Sequence, residues 1–278
     1  MTTPGAALSG GGASPLQEAR LNRQREPLPT DVASLPATPA TYARALDRAL
    51  EVLGIALSPA ARSAIDGHVR LLLAWNTAIN LTAITDPAEV ARRHVADSLA
   101  ALGVIRAGPH ATLLDLGSGG GFPGLPLAAA LPDTRALLVD ATAKKVAFLE
   151  AVRHAVGLAG RVDVAARRAE ALAVTAAPDP RWDVVTARGV GSLGDLEELA
   201  MPLLATGGRL VAWKRGDLVA ELEAARHAAD VLGAGPPIVH PVPDALDLPG
   251  HVLVVIRKEA ATPAGYPRDP AARKRRPW

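Results

Sequence analysis

A glycine-rich loop is the part of this sequence whose residue types and spacing are best suited to chemistry. Residues 113–116 form a short apolar run that predicts a buried strand, and Gly117, Gly119 and Gly121 follow at once. Glycines let a ligand approach the backbone closely. A helix is predicted directly after the loop, and its start would offer free N–H groups to a carboxylate or phosphate. The loop therefore predicts a ligand-binding site.

Two classes of ligand use such a loop. Residues 119–124 match the dinucleotide fingerprint, whereas residues 115–121 match the acidic glycine pattern that resembles motif I of class I S-adenosylmethionine (SAM) methyltransferases. Asp115 favours SAM, because an acid there would repel a pyrophosphate and suits the cationic amino-acid end of SAM. Asp140 lies 23 residues past Gly117, where an acid can accept the ribose hydroxyls of either ligand, so it does not discriminate between SAM and NAD.

The elements that must position these residues alternate along the chain. Apolar runs predict strands over 112–116, 135–139, 161–165, 182–187 and 208–213. Helices are predicted near 123–131, 142–157, 193–204 and 217–232. This alternation is typical of a doubly wound parallel sheet.

Two further strands, 236–243 and 251–257, follow without a helix between them and are predicted to pair antiparallel at one edge. Five parallel strands and a hairpin indicate an α/β fold of the class I SAM-dependent methyltransferase type, with a seven-stranded, mostly parallel sheet and helices on both faces. A dehydrogenase would instead have a sixth parallel strand and a separate substrate domain.

The composition excludes several classes of protein. The chain has 278 residues, of which 49% are hydrophobic and none is cysteine. Disulfides, thiolate metal sites and thiol nucleophiles are therefore excluded, and the seven scattered histidines indicate no metal site. No apolar run reaches the roughly 18 residues of a membrane span, and residues 1–30 lack a signal-peptide pattern. We expect a cytoplasmic monomer with no membrane partner.

The two ends of the chain differ from its middle. We expect a disordered low-complexity tail over 1–38, a helical cap over 39–104, the ligand-binding domain over 105–258 and a basic tail over 259–278. Residues 257–278 hold seven basic and two acidic residues, a local charge of +5 in a chain of net charge +2. Such a run suggests a polyanionic partner, and a merely solubilising tail is the alternative.

Several short motifs beside the loop resemble one family, the ribosomal RNA small subunit methyltransferase G family, also called glucose-inhibited division protein B. The resemblance covers about residues 40–257, and its matching segments are Trp75-Asn76 with Asn80-Leu-Thr82, Arg93-His94 with Asp97-Ser98, residues 115–124, Lys144-Lys145 with Phe148-Leu149, Arg168-Ala-Glu170, Ala187-Arg188 and Lys214. The segment Phe122-Pro123-Gly124-Leu125-Pro126 makes the match specific. The sequence departs from the family pattern at Trp213-Lys214-Arg215-Gly216 and at both tails.

The resemblance implies transfer of a methyl group from SAM to N7 of a guanosine in 16S rRNA. It implies these cofactor-binding residues: Gly117, Gly119, Gly121, Phe122, Asp140, Ala169, Glu170 and Arg188. Candidates for contact with rRNA of the small subunit are Arg92, Arg93, His94, Lys144, Lys145, Lys214 and Arg215. No catalytic acid or base is expected, because N7 carries a lone pair and no proton. A SAM enzyme acting on a small molecule or protein and a nucleotide-binding module without catalysis are the alternatives.

Overall fold

A seven-stranded sheet forms the centre of the protein, which a computed structural model describes over residues 28–175 and 182–278. Its strands are β1 (Thr112–Leu116), β2 (Arg135–Asp140), β3 (Val162–Ala166), β4 (Trp182–Arg188), β5 (Leu204–Arg215), β6 (Ile238–Pro241) and β7 (His251–Arg257). They lie in the order β3-β2-β1-β4-β5-β7-β6. Strands β1 to β5 are parallel, and β7 runs antiparallel to β5 and β6. The predicted methyltransferase fold class is confirmed.

Helices cover both faces of the sheet. Before the sheet lie α1 (Ala40–Leu53), α2 (Pro59–Trp75), α3 (Pro87–Val90), a π-helical segment (Ala91–Ala96), α4 (Asp97–Leu99) and α5 (Leu102–Arg106). Within and after it lie α6 (Gly124–Ala130), α7 (Ala143–Ala155), α8 (Ala169–Thr175), α9 (Leu193–Ala200), α10 (Val219–Leu232) and α11 (Pro270–Arg275). None of the helices in these described ranges is long and apolar enough to span a membrane.

The strands are apolar without alternation because both faces of the sheet are buried. Leu113 belongs to the core that β1 shares with α1, α2, α6 and α7, whereas its neighbour Leu114 belongs to the core shared with α9 and α10. Residues next to each other in a strand point to opposite faces. The N-terminal helices therefore pack into the core on one face of the sheet, the face to which Leu113 points.

The helix starts follow the capping signals in the sequence. The Ser58 hydroxyl accepts the N–H of Ala61, with Pro59 in the first turn of α2, and Asp86 accepts the N–H of Glu89 in α3. Gly54 ends α1 in the left-handed region. The two N-terminal caps provide acceptors for N–H groups that have no partner within the helix. The left-handed glycine lets the chain reverse direction where α1 ends.

Part of the expected N-terminal disorder is contradicted by the structure. Residues 28–38 lie against α2, where Arg70 donates hydrogen bonds to the carbonyls of Val32, Leu35 and Pro36. The indole of Trp75 donates to the carbonyl of Pro29. These hydrogen bonds and the packing of apolar residues in this stretch offset the entropy cost of ordering it. Residues 1–27 lie outside the described part of the chain.

The basic tail also packs on the protein instead of extending from it. Arg268 forms a bidentate ion pair with Glu198 of α9, and Glu198 is fully buried. The indole of Trp278 donates to the same carboxylate at 2.8 Å. Burial alone would raise the pKa of Glu198, but the hydrogen bonds from Arg268 and Trp278 hold it below its ordinary value. The tail is fixed because it neutralises a buried acid.

Candidate functional site

The predicted ligand-binding residues meet at one edge of the sheet. Strands β1, β2 and β3 end at Leu116, Asp140 and Ala166, and β4 ends at Arg188. These strands are parallel neighbours, so their carboxyl ends lie side by side. Ligands of open α/β sheets bind beyond these ends.

The three glycines of the loop have distinct roles. All have positive φ, at 71° for Gly117, 54° for Gly119 and 88° for Gly121. A Cβ on Gly117 would lie 2.7 Å from Val190, and one on Gly121 would lie 2.5 Å from Leu125. Around a Cβ on Gly119 the nearest atom is the Gly117 carbonyl oxygen, at 3.8 Å. Gly117 and Gly121 allow close packing within the protein, whereas Gly119 faces open space at the predicted ligand site.

Asp140 supports the loop from the end of β2. One carboxylate oxygen accepts the N–H of Gly119 at 3.0 Å, and the other accepts the N–H of Thr142 at 2.8 Å. Lys145 lies 3.8 Å from the first oxygen. Each carboxylate oxygen can accept a second hydrogen bond. Asp140 therefore keeps acceptor capacity for ribose hydroxyls while it holds the loop.

Asp115 does not lie where the sequence argument placed it. Its residue is fully buried beneath the loop, where it accepts the hydroxyl of Thr186 at 2.7 Å and the N–H of Gly124 at 3.2 Å. Burial raises the pKa of Asp115 above its ordinary value, against these hydrogen bonds. The side chain ties the start of α6 to β4 and has no surface to offer a cofactor.

Phe122 lies at the centre of an aromatic cluster behind the loop. Its ring centroid is 4.7 Å from that of His94 and 4.5 Å from that of His68, and the guanidinium of Arg188 lies 5.5 Å from it. Only 6% of the residue is exposed. Most of the ring thus packs within the protein. Its contact with a cofactor stays a prediction, and only the small exposed edge of the ring could make that contact.

Arg188 forms an ion pair that the sequence did not reveal. Its guanidinium lies 3.0 Å from Asp97, whose side chain is 2% exposed. His251 lies 3.1 Å from the other carboxylate oxygen, and the indole of Trp213 donates to the Asp97 carbonyl. In the sequence, Asp97 is marked only by the Asp97-Ser98 segment of the family resemblance, and His251 was missed because no motif marks it.

A cavity of about 400 Å³ lies beside this ion pair, at the ends of β4 and β5. Its lining includes Ile84, Arg93, His94, Asp97, Arg188, Gly189, Val190, Gly191, Trp213, Lys214, Arg215 and His251. Arg93 and Arg215 are exposed, so the rim is cationic. A cavity with one apolar wall and a cationic rim suits a planar base that carries phosphates.

The predicted rRNA-contacting residues divide into two groups. Arg93, His94, Lys214 and Arg215 line the cavity, although Lys214 pairs with Glu221 at 2.6 Å. The others do not line it. Arg92 pairs with Glu89 and Asp247, Lys144 is exposed on α7, and Lys145 lies beside Asp140. The structure brings together only the first group.

His94 lines the cavity but has no free ring nitrogen that could accept a proton from a substrate. Its Nε2 bonds to Thr82 at 2.7 Å and its Nδ1 accepts from Arg188 at 3.3 Å. Burial first, and then the charge of Arg188, lower the pKa of His94 to about 4. The ring is therefore neutral near pH 7, and it contributes shape and hydrogen bonds to the cavity instead of charge.

We expect acid to destabilise the protein through His68. This ring is buried, it donates from Nε2 to the Gly120 carbonyl at 2.7 Å, and burial lowers its pKa to about 4. The unfolded chain binds a proton below about pH 6.5 that the native ring binds only below about pH 4. The free energy of unfolding should therefore fall by up to about 1.4 kcal/mol per pH unit in this window.

Urea unfolding at pH 7, 5.5 and 4.5 tests this expectation. His68→Gln keeps an N–H donor for Gly120 and does not titrate, so its stability should depend less on pH than that of the wild type. Equal pH slopes for the two proteins would show that His68 does not carry the effect.

Ala169 and Glu170 lie at the start of α8, next to the end of β3. Glu170 forms an ion pair with Arg273 of α11. Across the described residues, no group of three or more histidine, aspartate and glutamate side chains is arranged to hold a metal ion.

Comparison with known proteins identifies one family. A family model described as GidB, rRNA small subunit methyltransferase G, matches residues 62–242. The ribosomal RNA small subunit methyltransferase G of Roseiflexus sp. is 43% identical over 211 residues, which cover 74% of this chain and 87% of that protein. The protein of the same name from Chloroflexus aggregans is 40% identical over 227 residues, which cover 81% and 93%.

Similarity to solved structures is weaker. A SAM-dependent O-methyltransferase from Thermotoga maritima is 15% identical with a TM-score of 0.47, and the match covers 69% of this chain and 72% of that chain. A putative rRNA methylase from Clostridium thermocellum is 20% identical with a TM-score of 0.43, covering 57% and 93%.

Proposed function

The chain belongs to the rRNA small subunit methyltransferase G family, and from this premise we propose that it transfers the methyl group of SAM to N7 of a guanosine in 16S rRNA. The observation that carries the proposal is the match over residues 62–242, which include the glycine loop and most of the residues around the cationic cavity. Polyanionic RNA suits that cationic rim.

SAM supplies an electrophilic methyl group on a sulfonium. The residues that would hold it are Gly117, Gly119, Gly121, Asp140, Ala169, Glu170 and Arg188, with Phe122 at its edge. Their grouping at one edge of the sheet and the open space at Gly119 support this assignment.

The cavity would contribute to the reaction by positioning the guanine base. N7 of guanine carries a lone pair and no proton, so its methylation needs no general base and depends on placing N7 in line with the methyl group. His94 fits this requirement because both of its ring nitrogens are engaged and its pKa is about 4. Arg93 and Arg215 would attract the RNA phosphates.

We expect the purified protein to methylate one guanosine of 16S rRNA at N7. Small subunits from cells that lack the gene are incubated with the protein and labelled SAM, and the modified base is mapped by borohydride and aniline cleavage. Label on another nucleotide atom would overturn the N7 assignment. Label on proteins or small molecules with none on 16S rRNA would overturn the substrate.

A matched pair of charge reversals tests the role of the cavity. Arg215→Glu, at the cavity rim, should lower methylation of small subunits by at least about tenfold and leave the affinity for S-adenosylhomocysteine unchanged. Arg226→Glu alters an exposed arginine of α10 outside the cavity lining and should behave like the wild type. Equal activity of the two variants would exclude this rim from RNA binding.

A further inference from the structure

The loop that joins β4 to α9, residues 189–192, forms part of the wall of the cationic cavity. Gly189, Val190 and Gly191 all line this cavity. Val190 also lies against the glycine loop, because a Cβ on Gly117 would be 2.7 Å from its side chain. Loop 189–192 therefore lies between the predicted cofactor loop and the space proposed for the guanine base.

The sequence of loop 189–192 does little to fix its shape. Gly189 and Gly191 both lie in the left-handed region, with φ of 71° and 57°. Glycine loses more conformational freedom on ordering than any other residue, so contacts from outside the loop are needed to hold one conformation. The ion pair of Arg188 with Asp97 fixes the chain where the loop begins. The end of the loop needs a second anchor.

Two charged side chains, which we call the clamp, supply this anchor: Lys214 of β5 and Glu221 of α10. The Lys214 ammonium donates to the Gly191 carbonyl at 2.8 Å and lies 2.6 Å from a Glu221 carboxylate oxygen. The same oxygen accepts the N–H of Leu193, the first residue of α9, at 3.1 Å. The clamp therefore holds the chain on both sides of Ser192.

Lys214 has little left to offer an RNA phosphate. Its side chain is only 11% exposed, and its charge is neutralised by Glu221. An ammonium group has three N–H donors, and the Gly191 carbonyl and Glu221 take two of them. Arg93 and Arg215, by contrast, are exposed at the rim of the same cavity. The geometry thus differs from the role in rRNA contact that the family resemblance suggested for Lys214.

We propose that Lys214 and Glu221 are positioning residues, which act on methyl transfer by holding loop 189–192 in place. This inference rests on the proposed function. Transfer to N7 depends on alignment of the base with the methyl group, and a displacement of about 1 Å can cost roughly a hundredfold in rate. Opening the clamp frees the wall of the cavity at Gly191, so the loss falls on kcat more than on the binding of RNA.

Methylation kinetics of the full chain on small subunits test the proposal. Lys214→Met and Glu221→Ala should each lower kcat by about tenfold or more, because either change opens the clamp. The double variant should be no slower than the slower single variant, because both changes remove the same interaction. Glu223→Ala alters an exposed glutamate of the same helix and should behave like the wild type. Titration with S-adenosylhomocysteine counts the folded molecules, and kcat is expressed per binding site.

A direct contact of Lys214 with a phosphate predicts different results. Lys214→Met would then weaken the binding of small subunits and flatten the slope of log affinity against log salt by about 0.7–0.9. Glu221→Ala would leave kcat unchanged. Either result would overturn the clamp, as would a double variant whose loss in kcat equals the product of the two single losses.

Hydrogen exchange distinguishes failure of the clamp from failure of the proposed function. The amides of residues 189–193 should exchange faster in Lys214→Met and Glu221→Ala than in Glu223→Ala and the wild type, whatever the substrate is. Equal exchange in all four proteins would overturn the clamp. A wild type that shows this difference from the variants but labels no 16S rRNA would overturn the proposed function alone.

A milder variant covers the case in which Glu221→Ala does not fold. Glu221→Gln keeps an oxygen acceptor for the N–H of Leu193 and loses the charge that pairs with Lys214. Its kcat should fall severalfold. A kcat equal to that of the wild type in Glu221→Gln would overturn the role of the ion pair.

Discussion

Gly119→Val is expected to weaken binding of S-adenosylhomocysteine by at least roughly a hundredfold while the protein still folds. A Cβ at this position meets no atom closer than the Gly117 carbonyl oxygen at 3.8 Å, so the valine side chain would occupy the open space predicted for the cofactor. A steric overlap of about 3 kcal/mol already corresponds to a hundredfold loss. Calorimetry measures the affinity.

Gly54→Val provides the matched control. Gly54 has φ 62°, close to the 54° of Gly119, and a Cβ there meets nothing within 4 Å. Both variants should therefore lose a similar stability, at least about 1–2 kcal/mol, from a side chain in the left-handed region. Gly54→Val should keep its affinity. If both variants lose affinity equally, the loss comes from instability, and if neither does, the loop does not bind the cofactor.

Asp97→Ala is expected to lower the free energy of unfolding by about 3–5 kcal/mol. The change leaves Arg188 and His251 without their carboxylate in a region where Asp97 is 2% exposed and the other two side chains are each 19% exposed. Removing one partner of a buried ion pair is costly because the remaining charge loses both water and its partner. Urea unfolding followed by circular dichroism gives the value, and methylation should fall because Arg188 lines the cavity.

Asp47→Ala is the surface counterpart. Asp47 pairs with Arg62 at 2.6 Å, but its side chain is 63% exposed, so its loss should cost less than about 1 kcal/mol. The double variant Asp97→Ala, Arg188→Met should recover part of the lost stability because no unpaired charge remains. Equal costs for Asp97→Ala and Asp47→Ala would contradict the importance of the buried pair.

The packing of the basic tail, residues 259–278, changes how a truncation of this tail must be interpreted. The charge of +5 over residues 257–278 suggested a polyanionic partner for this tail. In the structure Arg268 and Arg273 pair with Glu198 and Glu170, so truncation after Glu259 would uncover a buried acid and remove the partner of a predicted cofactor-binding residue. Single substitutions at exposed positions such as Arg275 separate RNA binding from this packing.

Most of the fold, and the grouping of the predicted ligand-binding residues at one edge of the sheet, followed from the sequence alone. Strand and helix periodicities are local properties, and each predicted strand was found with shifts of a few residues, the largest at β5, which begins at Leu204 instead of residue 208. Because parallel strands place their carboxyl ends together, the grouping of the loop, Asp140 and Arg188 also followed.

Only the tertiary structure decided which of these side chains contact one another. Arg188 and Asp97 are 91 residues apart in the sequence, and Arg273 and Glu170 are 103 apart. Neither pair forms a local pattern, and the same residue types occur on solvated surfaces throughout the chain. The burial of Asp115 likewise depends on the hydroxyl of Thr186 in the neighbouring strand. Contacts of this kind arise from how elements pack, because packing determines which charges lose water and must find a partner within the protein.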